Sequence, residues 1–128
     1  MLRRAAALAL VVLAACSHSG SGRTISVAGQ PVAVAGLVDA HAGLCQAAAD
    51  LPMARELFYD RSHQALHTVA RALEDVDRAQ AAALLEAMQK VEAEIDARPP
   101  GLHDDLLRLA DVDRTGLARL AIDVAPCE

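Results

Sequence analysis

Apolar residues recur with the period of an α-helix through most of the chain, and this spacing restricts its fold more than any other feature. From Gly36 onward, apolar side chains return every three or four residues, in stretches separated by proline, glycine or aspartate. A period of 3.6 residues places such side chains on one face of a helix, which must then pack against other helices. Abundant alanine adds intrinsic helix propensity. The sequence therefore predicts an all-α fold.

The boundaries between these stretches carry the usual signals of helix ends. Asp50, followed by Pro52, predicts the start of a second helix, because aspartate caps helices and proline suits their first turn. Asp77 and Gln80 have the spacing of a capping box, which predicts the start of a third helix. The run Arg98-Pro99-Pro100-Gly101 predicts its end.

One apolar face per helix makes up the predicted core. The faces are Leu37, Ala40, His41, Leu44, Ala48 and Leu51; then Phe58, Ser62, Ala65, Leu66, Val69, Leu73 and Val76; then Leu84, Met88, Val91 and Ile95; and last Leu102, Leu106, Leu109, Leu117, Leu120 and Val124. Four amphipathic helices with short connections predict a small antiparallel four-helix bundle over residues 36–128. Asp113 lies near the middle of the fourth face, so we expect a kink or a restart of that helix there.

The first sixteen residues have a different character. Two arginines near the start precede an apolar run over residues 5–15. A basic segment before a run of this length is typical of a secretory signal peptide, and a membrane-spanning helix needs about 20 apolar residues. The run ends in Leu13-Ala14-Ala15-Cys16, which resembles the lipobox of bacterial lipoproteins.

The lipobox resemblance implies the processing and the location of the chain. Residues 1–15 would be removed as the signal peptide, and the sulfur of Cys16 would carry the lipid. Two or three acyl chains on one residue anchor a protein stably, so we expect a membrane-anchored domain that faces the periplasm or the cell exterior. Residues 16–35 follow as a flexible tether, rich in serine and glycine at its start. Weak alternation over 24–34 is compatible with a short extended or hairpin-like segment.

Charge and composition exclude several classes of partner. The formal net charge is −5, and loss of the signal peptide makes it two units more negative. An acidic chain does not suit nucleic acid or a polybasic membrane surface. Phe58 and Tyr59 are the only aromatic residues, which disfavours carbohydrate binding. Since the sequence contains no catalytic motif, we expect a non-enzymatic interaction module whose partner is another envelope protein.

Two further cysteines belong to the expected folded domain. In an exported domain, Cys45 and Cys127 most simply form a disulfide bond. An alternative stays open if the two thiols are free, because His41 lies four residues before Cys45 on the same helix face. A thiolate and an imidazole in that arrangement form part of a soft metal site.

The predicted second helix carries a stripe of metal-ligand residues. His63 and His67 are four residues apart and therefore lie one above the other. Asp60 and Glu56 continue this stripe toward the start of the helix. Imidazoles with a carboxylate suit zinc, copper or iron, so a transition metal ion is the one cofactor that the sequence suggests. The alternatives are a metal-binding lipoprotein and an ordinary solvated helix face.

Two other histidines bear on this alternative. A third ligand from another helix, such as His41 or His103, would strengthen the case for a metal site. His41, however, faces the apolar side of its helix, where a histidine usually finds a buried polar partner. The alternative is a pairing of His41 with Asp113, which also lies on a core face, as a buried polar contact or a pH-sensitive joint.

Overall fold

A computed structural model describes residues 22–128. The predicted signal peptide and the predicted lipidation site at Cys16 lie outside the described residues. The described part is mostly helical, with one small antiparallel sheet of two strands at its start, which confirms the helical fold class. Among its helices, none combines the length and the apolar character needed to cross a membrane.

The two strands form a β-hairpin over the segment with weak alternation. Strand β1 (Thr24–Val27) pairs antiparallel with strand β2 (Gln30–Ala33). The connecting residues Ala28 and Gly29 have φ angles of 50° and 79°. Two consecutive positive φ angles produce a tight turn whose twist matches that of the strands.

The hairpin is attached to the helical part of the chain at two points. The carbonyl oxygen of Arg23 accepts a hydrogen bond of 3.0 Å from the backbone N–H of Val34. The guanidinium of the same arginine donates to the carbonyl of Ala121 at 2.9 Å. Val27 is buried. The hairpin thus has a buried side chain and its own hydrogen bonds. The folded domain therefore begins before residue 36, although the sequence predicts a tether over residues 16–35.

Four helices follow the hairpin within the described range. They are α1 (Val34–Ala49), α2 (residues 54–73), α3 (Arg78–Glu94) and α4 (Leu102–Arg119). A short 3-10 turn, Leu51–Met53, precedes α2. Helix α2 consists of three consecutive parts, which are α-helical over Ala54–Leu57, π-helical over Phe58–Ser62 and α-helical again over His63–Leu73.

The predicted apolar faces meet in one core. The largest fully buried side chains are Phe58, Leu44, Leu66, Leu73, Leu84, Met88, Ile95, Leu102, Leu106, Leu109, Leu117 and Ile122. The third stripe, which ends at Ile95, is buried throughout. Val76 is an exception, because α2 ends at Leu73 and leaves this side chain 61% exposed in the following turn.

The two predicted N-caps have different outcomes. Asp77 accepts a hydrogen bond of 3.0 Å from the backbone N–H of Gln80, which confirms the cap of α3. Asp50 makes no capping hydrogen bond through its side chain. The chain enters α2 through the 3-10 turn instead. The prediction that Asp50 caps this helix is therefore wrong, although the predicted helix is present.

The expected kink at Asp113 is wrong. Helix α4 is unbroken from Leu102 to Arg119, and Asp113 is buried in its middle. Its Oδ2 atom lies 2.9 Å from Nδ1 of His41 on α1. Since the carboxyl group has a polar partner inside the core, the helix need not bend to expose it to water.

Helices α1 and α2 approach each other closely at the π-helical part of α2. A Cβ atom on Gly43 would lie 2.7 Å from Oγ of Ser62. The buried Ser62 hydroxyl donates a hydrogen bond of 2.7 Å to the carbonyl of Ala40. Glycine at position 43 leaves the space for this contact, which fixes the start of the last part of α2 against α1.

Candidate metal centre

The two histidines of the predicted stripe share one face of α2. His63 is the first residue of the regular helix that follows the π-helical part, and His67 lies one turn later. Their rings meet edge to face, with centroids 4.8 Å apart. The i, i+4 spacing therefore holds in this part of α2, as predicted.

A carboxylate from the neighbouring helix α3 completes a group of three ligand residues. Oε1 of Glu92 lies 2.9 Å from Nε2 of His63. One ligand atom from each of His63, His67 and Glu92 lies within 4.8 Å of the other two. The group thus combines two imidazoles of α2 with a carboxylate of α3, at the line where these helices pack.

Glu92 is not among the residues predicted from the sequence. Helix pairing, which the periodicity does not encode, decides which residues of α3 face the histidines. One signal was available: Glu92 is four residues after Met88 and three before Ile95, so it borders the apolar stripe of α3. An acidic residue at the edge of an apolar stripe is placed to reach a neighbouring helix.

The two carboxylates predicted from the stripe do not join this group. Asp60 and Glu56 are exposed, and neither belongs to the clusters of ligand atoms found among residues 22–128. The π-helical part Phe58–Ser62 lies between Glu56 and the histidines. Because a π-helical turn contains more residues than an α-helical turn, it rotates the preceding residues relative to a straight helical wheel.

Neither of the other two histidines within residues 22–128 approaches the group. His103 is exposed at the start of α4, where its Nδ1 lies 3.1 Å from Asp104. His41 is buried on α1 and contacts Asp113. The residue of another helix that lies beside His63 and His67 is therefore Glu92, and not His41 or His103.

Two aromatic rings, those of Phe58 and Tyr59, pack against the His63 imidazole. The centroid of Phe58, which is fully buried, lies 5.4 Å from that of His63, and the centroid of Tyr59 lies 5.2 Å away. The side chains of His63 and Glu92 are 28% and 31% exposed. Partial removal from water strengthens the electrostatic interactions of such groups, while His67, which is exposed, leaves the group open to solvent.

The arrangement can hold a metal ion with small movements of its side chains. Zinc binds histidine nitrogen at about 2.0–2.1 Å and carboxylate oxygen at about 2.0–2.2 Å, in tetrahedral geometry. Two such ligand atoms are then roughly 3.3 Å apart. His63 and Glu92 are already 2.9 Å apart, so the ion would replace the proton of their hydrogen bond. Three protein ligands leave a fourth position for water.

A second polar cluster lies between α1, α4 and the C-terminal tail. Nδ1 of His41 is 2.9 Å from Oδ2 of Asp113, and Nε2 of His41 is 3.2 Å from the carbonyl oxygen of Ala125. Burial raises the pKa of Asp113, which favours the neutral carboxyl, while the hydrogen bond from His41 opposes this shift. Both ring nitrogens of His41 therefore have an oxygen partner.

The predicted disulfide bond lies beside this second cluster. Cys45 of α1 is bonded to Cys127 of the C-terminal tail, with Cα atoms 5.2 Å apart, which confirms the predicted pairing. Nε2 of His41 lies 3.9 Å from Sγ of Cys45. The bond holds the non-helical tail, residues 120–128, against α1.

Comparisons with protein-family models, with curated proteins and with solved structures find no match to this chain.

Proposed function

We propose that this protein is a lipid-anchored protein of the bacterial cell envelope whose helical domain binds a divalent transition metal ion at His63, His67 and Glu92. The observation that carries the proposal is the convergence of three ligand atoms, from two packed helices, within 4.8 Å of one another. The sequence alone favours a protein partner over a metal. Because Glu92 of α3 lies beside the two histidines, we favour metal binding over a protein partner.

The chemistry of the three ligands narrows the choice of ion. Two imidazoles and one carboxylate suit zinc, copper(II) or iron(II), whereas magnesium and calcium prefer oxygen ligands alone. At equal availability, copper(II) binds such a site more tightly than zinc. Because the sequence contains no catalytic motif, we propose that the domain binds or carries the ion and is not an enzyme.

The first test is a calorimetric titration with Zn²⁺. The full chain carrying Cys16→Ser, purified in a mild detergent with its disulfide oxidised, is expected to bind one equivalent with submicromolar affinity. Loss of a residue that merely orients a metal ligand typically weakens binding 10–100-fold. We therefore expect His63→Ala/His67→Ala, which removes two ligands, to weaken binding more than about 100-fold.

Matched variants separate a site from general attraction of cations to an acidic protein. Glu92→Gln removes the charge of the third ligand with little change in shape, and it is expected to weaken binding. Glu56→Gln/Asp60→Asn removes two exposed charges from the same helix and is expected to leave the affinity unchanged. If the chain binds Zn²⁺ with equal affinity with and without His63 and His67, these residues do not form a metal site. His63 and Glu92 are then only an ion pair on a solvated helix face.

The anchoring proposal rests on the lipobox resemblance at Cys16. We expect Cys16→Ala to abolish incorporation of labelled palmitate in a bacterial host and to leave the uncleaved precursor as the only product, since the thiol is the group that takes the lipid. Mass spectrometry of the purified protein measures both effects. Acylation that persists in Cys16→Ala contradicts the anchor, and Ser17→Ala serves as the control that retains it.

We further propose that the four helices form an antiparallel four-helix bundle. The contacts between helices support this arrangement, since α1 packs on α2 and α4, and α3 packs on α2 and α4. Bundles commonly hold metal ions with side chains from facing helices. In this arrangement the proposed site lies between the adjacent helices α2 and α3.

A further inference from the structure

The disulfide bond conceals a second set of metal donors. Nε2 of His41 and the sulfur atoms of Cys45 and Cys127 lie within 4.8 Å of one another. Nε2 is 3.9 Å from the sulfur of Cys45. The thiolate is the form of cysteine that binds metals, and neither sulfur has this form while the two are bonded to each other.

We propose that reduction of the Cys45–Cys127 disulfide creates a second metal site, in which two thiolates and the imidazole of His41 hold a borderline-soft divalent ion such as zinc. The reductant is a dithiol, which supplies two electrons and two protons and itself becomes a disulfide. The sulfur–sulfur bond breaks and two thiols form. Metal binding then releases one proton from each thiol and one from Nε2 of His41.

Asp113 orients the histidine for this role. Its Oδ2 atom lies 2.9 Å from Nδ1 of His41, and the side chains are 3% and 5% exposed respectively. In the metal-bound state, a proton on Nδ1 that is donated to this carboxylate leaves the lone pair of Nε2 to bind the ion on the side of the sulfurs. Carboxylate, imidazole and metal in sequence are the usual arrangement around zinc, and this pair supplies the first two inside the core.

The C-terminal tail can open the site without moving a helix. Two thiolates on one zinc ion are roughly 3.8 Å apart, so the sulfurs must separate from bonding distance. Cys127 lies in the non-helical tail, beyond the end of α4 at Arg119. A small shift of the tail also breaks the 3.2 Å contact between Nε2 of His41 and Ala125. Water takes the fourth position.

Charge also favours an ion at this position. Two thiolates and a neutral imidazole balance the charge of a divalent cation, so the ion and its three ligands add no net charge to the Asp113 carboxylate beside them. A neutral group of this kind has a lower cost of burial than a single charge would have. Cys45 and Cys127 are half-buried, so the ion and its reductant reach the sulfurs from solvent.

The test uses Co²⁺ as a spectroscopic probe. The full chain carries Cys16→Ser, so that Cys45 and Cys127 are its only thiols, and His63→Ala/His67→Ala, so that the site under "Proposed function" is absent. After reduction with a phosphine, one equivalent of Co²⁺ is expected to produce thiolate-to-cobalt charge-transfer absorption and the visible bands of a tetrahedral ion. Zn²⁺ should displace the cobalt, and the oxidised chain should show neither feature.

Three variants in the same background test the individual ligands. Cys45→Ser/Cys127→Ser is expected to lose the charge-transfer band completely. His41→Gln should keep a weaker band with altered visible absorption, because one nitrogen ligand is gone. Asp113→Asn should keep the spectrum but bind about 10–100-fold more weakly, as expected for a residue that orients a ligand. Unchanged affinity and spectrum in His41→Gln would overturn the proposed ligand set.

Folding is followed in the same samples by circular dichroism. If the reduced chain stays helical, absence of the cobalt bands overturns the proposal. If reduction unfolds the chain, Zn²⁺ is expected to restore the helical signal, because metal binding would then drive folding; no recovery overturns the proposal equally. Since both ligands on α2 are absent, either result is independent of metal binding at His63 and His67.

Discussion

Replacing both Cys45 and Cys127 with alanine is expected to lower the free energy of unfolding by about 4 kcal/mol. The disulfide joins residues that are 82 positions apart. Its main effect is on the unfolded chain, which loses conformational freedom when such a long loop is closed; the chain-entropy relation gives about 3 kcal/mol for 15 residues and about 4.7 for 100. Urea unfolding of the oxidised chain and of the variant measures the difference.

The structure indicates what else the bond contributes. The tail after α4 has no helix of its own. Apart from the disulfide, it is held by the buried Ile122, by the hydrogen bond from Arg23 to Ala121 and by the contact of Ala125 with His41. Loss of the bond therefore releases the tail first. The chemically reduced chain is the control, and its stability should match that of the alanine variant. A loss below about 1 kcal/mol would mean that closing this loop restricts the unfolded chain far less than the chain-entropy relation gives.

Local sequence patterns predicted the helical part of the fold well. The stripe from Leu84 to Ile95 is buried as expected, and Asp77 caps α3. Both features depend on residues a few positions apart, so their geometry follows from the helix itself. Only the weak alternation over 24–34 indicated the hairpin. Its eight paired residues would not be stable alone, so its stability comes from packing on the helices, which a local pattern does not show.

Buried polar residues were predicted in part. His41 and Asp113, 72 residues apart, each stood on an apolar face, and a polar group in a core requires a partner. The presence of both residues on apolar faces therefore predicts a polar contact between them, and the structure confirms the pair. The kink expected at Asp113 is wrong for the same reason. Pairing with His41 lowers the cost of burying the carboxyl group, so the helix need not kink to expose it.

The candidate metal centre could be predicted only on its α2 side. The i, i+4 spacing of His63 and His67 is a local property, but the π-helical part that separates them from Glu56 is not. That part packs where α1 has Gly43. The position of Glu92 depends on how α3 is rotated against α2, which is decided by packing over the whole core. Periodicity identifies the faces of a helix but not its neighbours.

Phe58 connects the core to the proposed metal site, and Phe58→Ala is expected to lower the free energy of unfolding by about 4 kcal/mol. The ring is fully buried and packs against Tyr59 and His63, with centroids 4.9 Å and 5.4 Å away. Truncation of a buried phenylalanine to alanine costs about 3–5 kcal/mol, because apolar burial is lost and a cavity remains. Phe58→Leu, which retains most of the volume, should cost less than about 1.5 kcal/mol.

The same variants test whether this packing positions the metal ligands. Zn²⁺ at 100 times its dissociation constant should stabilise the oxidised chain by about 2.7 kcal/mol, because it binds only the folded state. At the same concentration, Phe58→Ala should be stabilised less, since the His63 ring has lost its support, whereas Phe58→Leu should keep nearly the full increment. Thermal and urea unfolding with and without Zn²⁺ measure both quantities. An equal increment in all three proteins would show that Phe58 stabilises the fold but does not hold the ligand in place.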